Sequence, residues 1–265
     1  MKRLENKVAV ISGGTSGIGA ATAEVFAAEG CRLVIAGRSE TKGKALADRL
    51  GDHVIFTKAD VMKEADIEAM LDVAVQRFGK LDILFNNAGG PTRDQLDAVT
   101  QEDFTHAMQL LLGSVVFGIK HAIAPMKANG GGVIINNSSI AAIRYGQGGH
   151  LYAAAKAGVT HYTKLAGVEL GPLGIRVNCI SPGAVATPIF WGGSERANTL
   201  SEAENEKKME KLKGNLAHAT PLPHAGLASD IADGALFLAS DAARHVNCHD
   251  LVIDGGRTAM FNEKS

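Results

Sequence analysis

The chain has 265 residues, a formal net charge of -1, 46% hydrophobic and 21% charged residues. These are the proportions of a globular protein with room for a buried core, and they exclude a disordered chain. The near-neutral balance offers no basic surface to nucleic acid. Three widely spaced cysteines, Cys31, Cys179 and Cys248, form no C-x-x-C; they exclude a disulfide framework and suit a reducing cytosol.

The polar start, Met1 to Lys7, leads into a short apolar run that reads as a first strand rather than a signal peptide. No stretch is read as the roughly 18 or more apolar residues of a membrane span. The expectation is a soluble cytoplasmic protein with no membrane partner. Expected strands follow in order: Lys7–Ser12, Arg32–Ala36, Val54–Lys58, Leu81–Phe85, Gly132–Asn137, Arg176–Ile180 and Asp250–Ile253. Expected helices lie between them: Ile18–Glu29, Glu40–Leu50, Lys63–Phe78, Gln101–Lys127, Leu151–Leu170 and Asp230–Ala239. Strands that read as continuous Val/Ile/Leu runs are buried on both faces, as in a parallel sheet. The alternation predicts one α/β domain, residues 1–265, with a doubly wound parallel sheet of about seven strands. The stretch 188–227 breaks the rhythm. It carries Phe190, Trp191 and a charged helix from Ser201, where Ser201 and Glu204 have capping-box spacing. It is read as a substrate-loop insertion and lid, and the charges Glu202–Lys213 as a solvated helix face.

Between the first strand and the first helix stands Ser12-Gly13-Gly14-Thr15-Ser16-Gly17-Ile18-Gly19. Glycines let the backbone turn tightly and approach a pyrophosphate, and the helix N-terminus offers free N–H groups to it. The loop therefore predicts dinucleotide binding through Gly13, Thr15, Ser16, Gly17, Ile18 and Gly19. The second strand runs out into Gly37-Arg38. An acidic residue there grips a ribose 2′-hydroxyl in NAD enzymes, whereas an arginine pairs with a 2′-phosphate. NADP is therefore favoured over NAD, with Arg38 as the discriminating residue. Tyr152 and Lys156 share one helix face at i and i+4. A tyrosine titrates near pH ~10, and a neighbouring ammonium favours its phenolate.

The Ser12–Gly19 loop, Asn86-Asn87-Ala88-Gly89, Tyr152-x-x-x-Lys156, Pro182-Gly183 and Asp254-Gly255-Gly256 together resemble the short-chain dehydrogenase/reductase family, in order and over almost the whole chain. The resemblance implies an oxidoreductase moving a hydride between NAD(P) and a ketone or secondary alcohol. It implies catalysis by Ser139, Tyr152 and Lys156, Ser139 being chosen over Ser138 by its 13-residue spacing to the tyrosine. Asp60 and Val61 would border the adenine, and Asn87, Ala88 and Gly89 would line the adenine ribose side. Pro182, Gly183, Val185 and Thr187 would position the nicotinamide, and Lys156 its ribose. No metal is implied; His245, Cys248, His249 and Asp250 are read as a structural loop. His150, Arg144, Gln147, Phe190 and Trp191 are candidate pocket walls. The long helices imply a homo-oligomer, dimer or tetramer. One position departs from the family: Leu111 stands where an asparagine usually holds a water of a proton relay. It supports an alternative reading as a catalytically weak nucleotide-binding regulator or scaffold. A third possibility is epimerisation or elimination through a transient ketone.

Overall fold

The computed structural model describes residues 2–92 and 95–260; residues 1 and 261–265, the ends of the expected domain, lie outside the described residues. β1 (Val8–Ser12) is buried along its whole length. Alternation divides its side chains: Ala9 and Ile11 join one core, Val8 and Val10 the other. The same division runs through β2 (Arg32–Gly37), β4 (Ile83–Asn86), β5 (Gly132–Asn137) and β6 (Ile175–Pro182), whereas β3 (Val54–Lys58) and β7 (Asp250–Ile253) at the sheet edges join the first core alone. These seven strands, among the described residues, form one parallel sheet in the order β3-β2-β1-β4-β5-β6-β7.

Helices cover both faces. On one face, α1 (Gly17–Ala28), α2 (Glu40–Leu50) and α9 (Ala228–Ala239) bury Phe26, Leu46 and Leu236 against Ile11, Leu33 and Phe85. On the other, α3 (Glu64–Phe78), α5 (Ser114–Ala128) and α6 (His150–Leu170) bury Met70, Ile119, Met126 and Val159 against Val10, Leu84 and Val177. The order reverses between β1 and β4, and ligands of such sheets bind beyond the carboxyl ends of the strands at that point. The expected doubly wound α/β fold is the one observed.

Most boundaries shift by one or two residues from the sequence expectation, and three of the differences have a visible cause or consequence. β4 starts two residues late, at Ile83, because the Asp82 side chain accepts from Val8 N at 2.8 Å and ties the strand entry to β1. β6 runs on to Pro182, held by pairing with β7 through Ser181↔Val252 and Pro182↔Ile253. The single expected helix 101–127 is α4 (Gln101–Met108), a five-residue π turn (Gln109–Gly113) and α5. The expectation about membrane spans is also corrected. The unit Gln101–Ala128 is long and apolar enough by composition to cross a membrane, with mean hydropathy 1.5. Its Val115, Ile119, Ala122 and Met126 are buried in the core.

The 188–227 stretch holds a 3-10 turn (Pro188–Trp191), α7 (Gly193–Asn198) and α8 (Glu202–Leu216). The capping box forms: Ser201 Oγ accepts from Glu204 N at 3.3 Å and Glu204 Oε2 from Ser201 N at 2.8 Å. Trp191 Nε1 donates to Asn205 Oδ1 at 3.2 Å, which fastens the turn to α8.

Candidate active site

A cleft of 390 Å³ opens at the carboxyl ends of β1, β2, β4 and β5. Its floor is the glycine loop. Gly13 and Gly17 have φ of 64° and 53°. A Cβ on Gly13 would sit 2.8 Å from Ala88 Cα, and one on Gly19 would sit 2.2 Å from Gly13 O. The loop is pinned from β4. Ser12 Oγ accepts from Asn87 N and Ala88 N at 3.0 and 3.1 Å. Asn87 Nδ2 donates to Ser12 O and Gly13 O at 3.1 and 3.2 Å.

The other end of the cleft is built by β5 and α6. Asn86 Nδ2 donates to Asn136 Oδ1, whose own Nδ2 donates to Thr163 Oγ1, both at 2.9 Å. This buried ladder fixes α6 against the sheet. Ser138 Oγ is spent on the same joint, donating to Lys156 O at 3.0 Å and lying 2.7 Å from Thr160 Oγ1. Ser139 is the serine free to face the chemistry: its hydroxyl accepts from Ala141 N at 3.1 Å and hydrogen-bonds the Tyr152 phenol.

Burial raises the Tyr152 phenol above its ordinary value, with the Ser139 hydrogen bond pulling the other way. Burial also lowers Lys156, to about 8. The ammonium lies 5.6 Å from the Tyr152 ring centroid and donates to Asn137 O at 2.6 Å. The lysine stands beside the tyrosine as the i, i+4 spacing implies, and burial disfavours the charged form of both groups.

Of the residues expected to hold a cofactor, Gly13, Thr15, Ser16, Gly17, Ile18, Arg38, Asp60, Val61, Asn87, Ala88, Gly89, Tyr152, Lys156 and Thr187 line this one cleft. Gly19 lies behind the loop, where its bareness lets Gly13 O approach. Pro182, Gly183 and Val185 stand back from the wall: Gly183 packs on Asp254 Cα, and Val185 bridges Gly226. Of the expected pocket walls, Arg144 Nη1 donates to Arg257 O at 2.6 Å, and Arg257 Nε donates to Gln147 Oε1 at 3.3 Å. These side chains secure the C-terminal turn; His150 is exposed at the start of α6. His245 to Asp250 form a clasp: Asn247 Oδ1 accepts from Val177 N and Asn247 Nδ2 donates to Gly167 O, both at 2.8 Å.

The sequence reading missed Asn137, Ile189, Gly193, Ser194 and Asn198, which also line the cleft. Ser194 Oγ lies 2.7 Å from Ser16 Oγ, so α7 touches the glycine loop. Gly192-Gly193 reads as a chain break, which hid the short helix beyond it. Leu111 is buried in the π turn and lines the cleft, as does Leu110.

A bare-backbone cradle and a Tyr–Lys pair in one cleft fit a nicotinamide dinucleotide: Gly13–Gly19 would hold its phosphates, and Tyr152 and Lys156 would serve its hydride chemistry. The comparisons agree with that geometry. The family model described as enoyl-(acyl carrier protein) reductase matches residues 13–258. Momilactone A synthase of Oryza sativa subsp. japonica is 40% identical, over 98% of this chain and 92% of its own length. Tropinone reductase-like 1 of Erythroxylum coca is 41% identical, over 98% and 93%. The crystal structure of levodione reductase superposes with a TM-score of 0.85 at 33% identity, covering 98% of this chain and 100% of that one. The chain belongs to the short-chain dehydrogenase/reductase family, whose members are NAD(P)-dependent oxidoreductases.

Proposed function

We propose that the protein is an NADP(H)-preferring oxidoreductase that interconverts a ketone and a secondary alcohol of apolar, bulky shape. The observation that carries this reading is that Tyr152, hydrogen-bonded by Ser139 behind it, meets Lys156 in the same cleft that the glycine loop lines. The bound nicotinamide supplies or accepts the hydride. Ser139 and Tyr152 hold the substrate oxygen; Tyr152 gives it a proton during reduction and takes one during oxidation. Lys156 favours the phenolate and orients the cofactor ribose. Tropinone reductase-like 1 and levodione reductase carry names of ketone reductases, which supports the ketone/alcohol class.

Leu110, Leu111 and Ile189 line the cleft with Tyr152, and further apolar side chains are exposed on the connections at the same end of the sheet. Tyr145 is 93% exposed, and Leu96, Ile143, Ile189 and Phe190 are also exposed on the connections that leave β4, β5 and β6 at their carboxyl ends. Exposed apolar surface beside a catalytic group marks a binding site. The 188–227 stretch acts as the lid.

Arg38 is proposed to pair with a 2′-phosphate, because Gly37 and Ser39 beside it leave no carboxylate at the end of β2. Arg38→Ala is expected to weaken NADPH binding about 10-fold or more and NADH binding less than about threefold, read by nicotinamide fluorescence. Equal losses for both would remove the NADP preference. Leu165 and Val168 on α6, with Phe104 on α4, are exposed apolar residues that support self-association into a homo-oligomer. The double variant Leu165→Asp, Val168→Lys is expected to sediment as a smaller species than wild type; an unchanged sedimentation coefficient would move the interface elsewhere. The reducing chemistry of three free cysteines, two of them buried, supports a cytoplasmic location.

Leu111 favours a second reading, a nucleotide-binding regulator with little turnover. The two part on Tyr152→Phe, which the enzyme reading requires to abolish activity.

A further inference from the structure

Asn137 ends β5 and lines the cleft with Tyr152 and Lys156. The network around it fixes which way its carboxamide faces. Asn87 Nδ2 already serves Ser12 O and Gly13 O, so Asn87 Oδ1 is the atom that meets Asn137 Nδ2, at 3.0 Å. Asn137 therefore turns its nitrogen toward Asn87 and its oxygen away. That oxygen is buried, and among the described residues nothing donates to it. An unused buried acceptor costs free energy, so a donor is its natural complement.

A donor already reaches the main chain of the same residue. The Lys156 ammonium has three N–H groups. One of them goes to the main-chain oxygen of this same Asn137, at 2.6 Å. The titratable groups around Lys156 are few. Tyr152 precedes it on α6, and Cys179 faces it from β6, its thiol pushed up to about 12 by burial and by Asp250 of β7. The π turn presents Leu111, which has no acceptor.

We propose that Asn137 is a positioning residue for Lys156, its main-chain oxygen taking one N–H and its carboxamide oxygen a second as the ammonium turns toward Tyr152. This rests on the reading of Tyr152 and Lys156 as the proton-transfer pair. It supplies the acceptor that Leu111 withholds, from the strand side of the cleft instead of the helix side. An acceptor favours the charged lysine, and the charged lysine favours the phenolate. Deleting the acceptor raises the tyrosine pKa; adding a negative charge at the same place lowers it.

The test compares Asn137→Leu with Asn137→Asp in alcohol oxidation, which needs the phenolate. Asn137→Leu is expected to move the acid limb of the kcat/KM profile up by about one pH unit. Asn137→Asp is expected to move it down. Adding Leu111→Asn to Asn137→Leu is expected to bring the limb back toward wild type. A purely structural role for Asn137 moves both single variants the same way, and that result, or superimposable profiles, overturns the proposal. NADPH Kd, by fluorescence, reports any loosening of the glycine loop through the Asn137–Asn87 bond, and the profiles are compared at saturating cofactor. Phenol ionisation is also read directly, as the ultraviolet difference between each variant and its Tyr152→Phe counterpart. Opposite displacements there uphold the positioning role even if no alcohol is turned over, an outcome that would sink the enzyme reading instead. Coincident titrations overturn it.

Discussion

Tyr152→Phe is expected to lower kcat/KM for ketone reduction by about 10³-fold or more while NADPH Kd stays within about twofold. Phenylalanine keeps the ring, its packing and the lysine over it, so the cleft keeps its shape. What it loses is the one atom that Ser139 hydrogen-bonds and that carries the proton. Ser139 and the bound cofactor remain, which leaves electrostatic stabilisation and proximity but no acid. The pH dependence follows from the same group. Burial raises the phenol, so the protonated form needed for reduction prevails at neutral pH. Reduction is expected to be flat through neutrality and to fall only as pH climbs through the raised value. Oxidation needs the phenolate and is expected to rise with pH. Full activity in Tyr152→Phe would remove the proton-transfer role; the loss of activity together with NADPH binding would point to collapse of the cleft.

How much of this was legible beforehand depended on what each residue's partners were. The strands read clearly because both faces of β1, β2 and β4 are buried, which leaves an unbroken apolar run. The glycine loop and the Tyr–Lys pair read clearly because their spacing is their chemistry. The π turn did not. Gln109-Leu110-Leu111-Leu112-Gly113 has ordinary helical composition, and one widened turn leaves no mark on apolar periodicity. Nor could β6 be followed to Pro182, since a proline reads as a strand end unless the edge partner is known. The choice between Ser138 and Ser139 came from family spacing; its physical ground is that the Ser138 hydroxyl is committed to α6. Asn137 was hidden for a similar reason. An asparagine before two serines looks like the frayed end of a strand, and only the contacts of Asn87 show that its oxygen has a fixed direction and no donor.

Gly19→Ala is expected to weaken NADPH binding by about 100-fold, with the melting temperature lowered by several degrees. Gly19 sits in the first turn of α1, where its φ does not require glycine, so the effect is steric alone. An added methyl would lie 2.2 Å from Gly13 O and 2.6 Å from Asn87 Nδ2. Neither atom can retreat freely. Asn87 Nδ2 holds both Ser12 O and Gly13 O, and Asn87 Oδ1 holds Asn137. The methyl therefore pushes the loop away from the N-terminus of α1 and spoils the bare surface on which phosphates would lie. Gly17→Ala is the contrasting case. Its φ of 53° carries a left-handed penalty of about 1 kcal/mol, but its Cβ would meet Thr187 Cγ2 at 3.5 Å and Cβ at 3.7 Å, ordinary contacts. The loop keeps its path, so a loss of less than about 10-fold is expected. Fluorescence titration and thermal melts of the two variants separate close approach from backbone conformation as the reason for the glycines. Equal losses would assign the cradle to conformation; wild-type binding by Gly19→Ala would mean that the loop has slack its hydrogen bonds do not suggest.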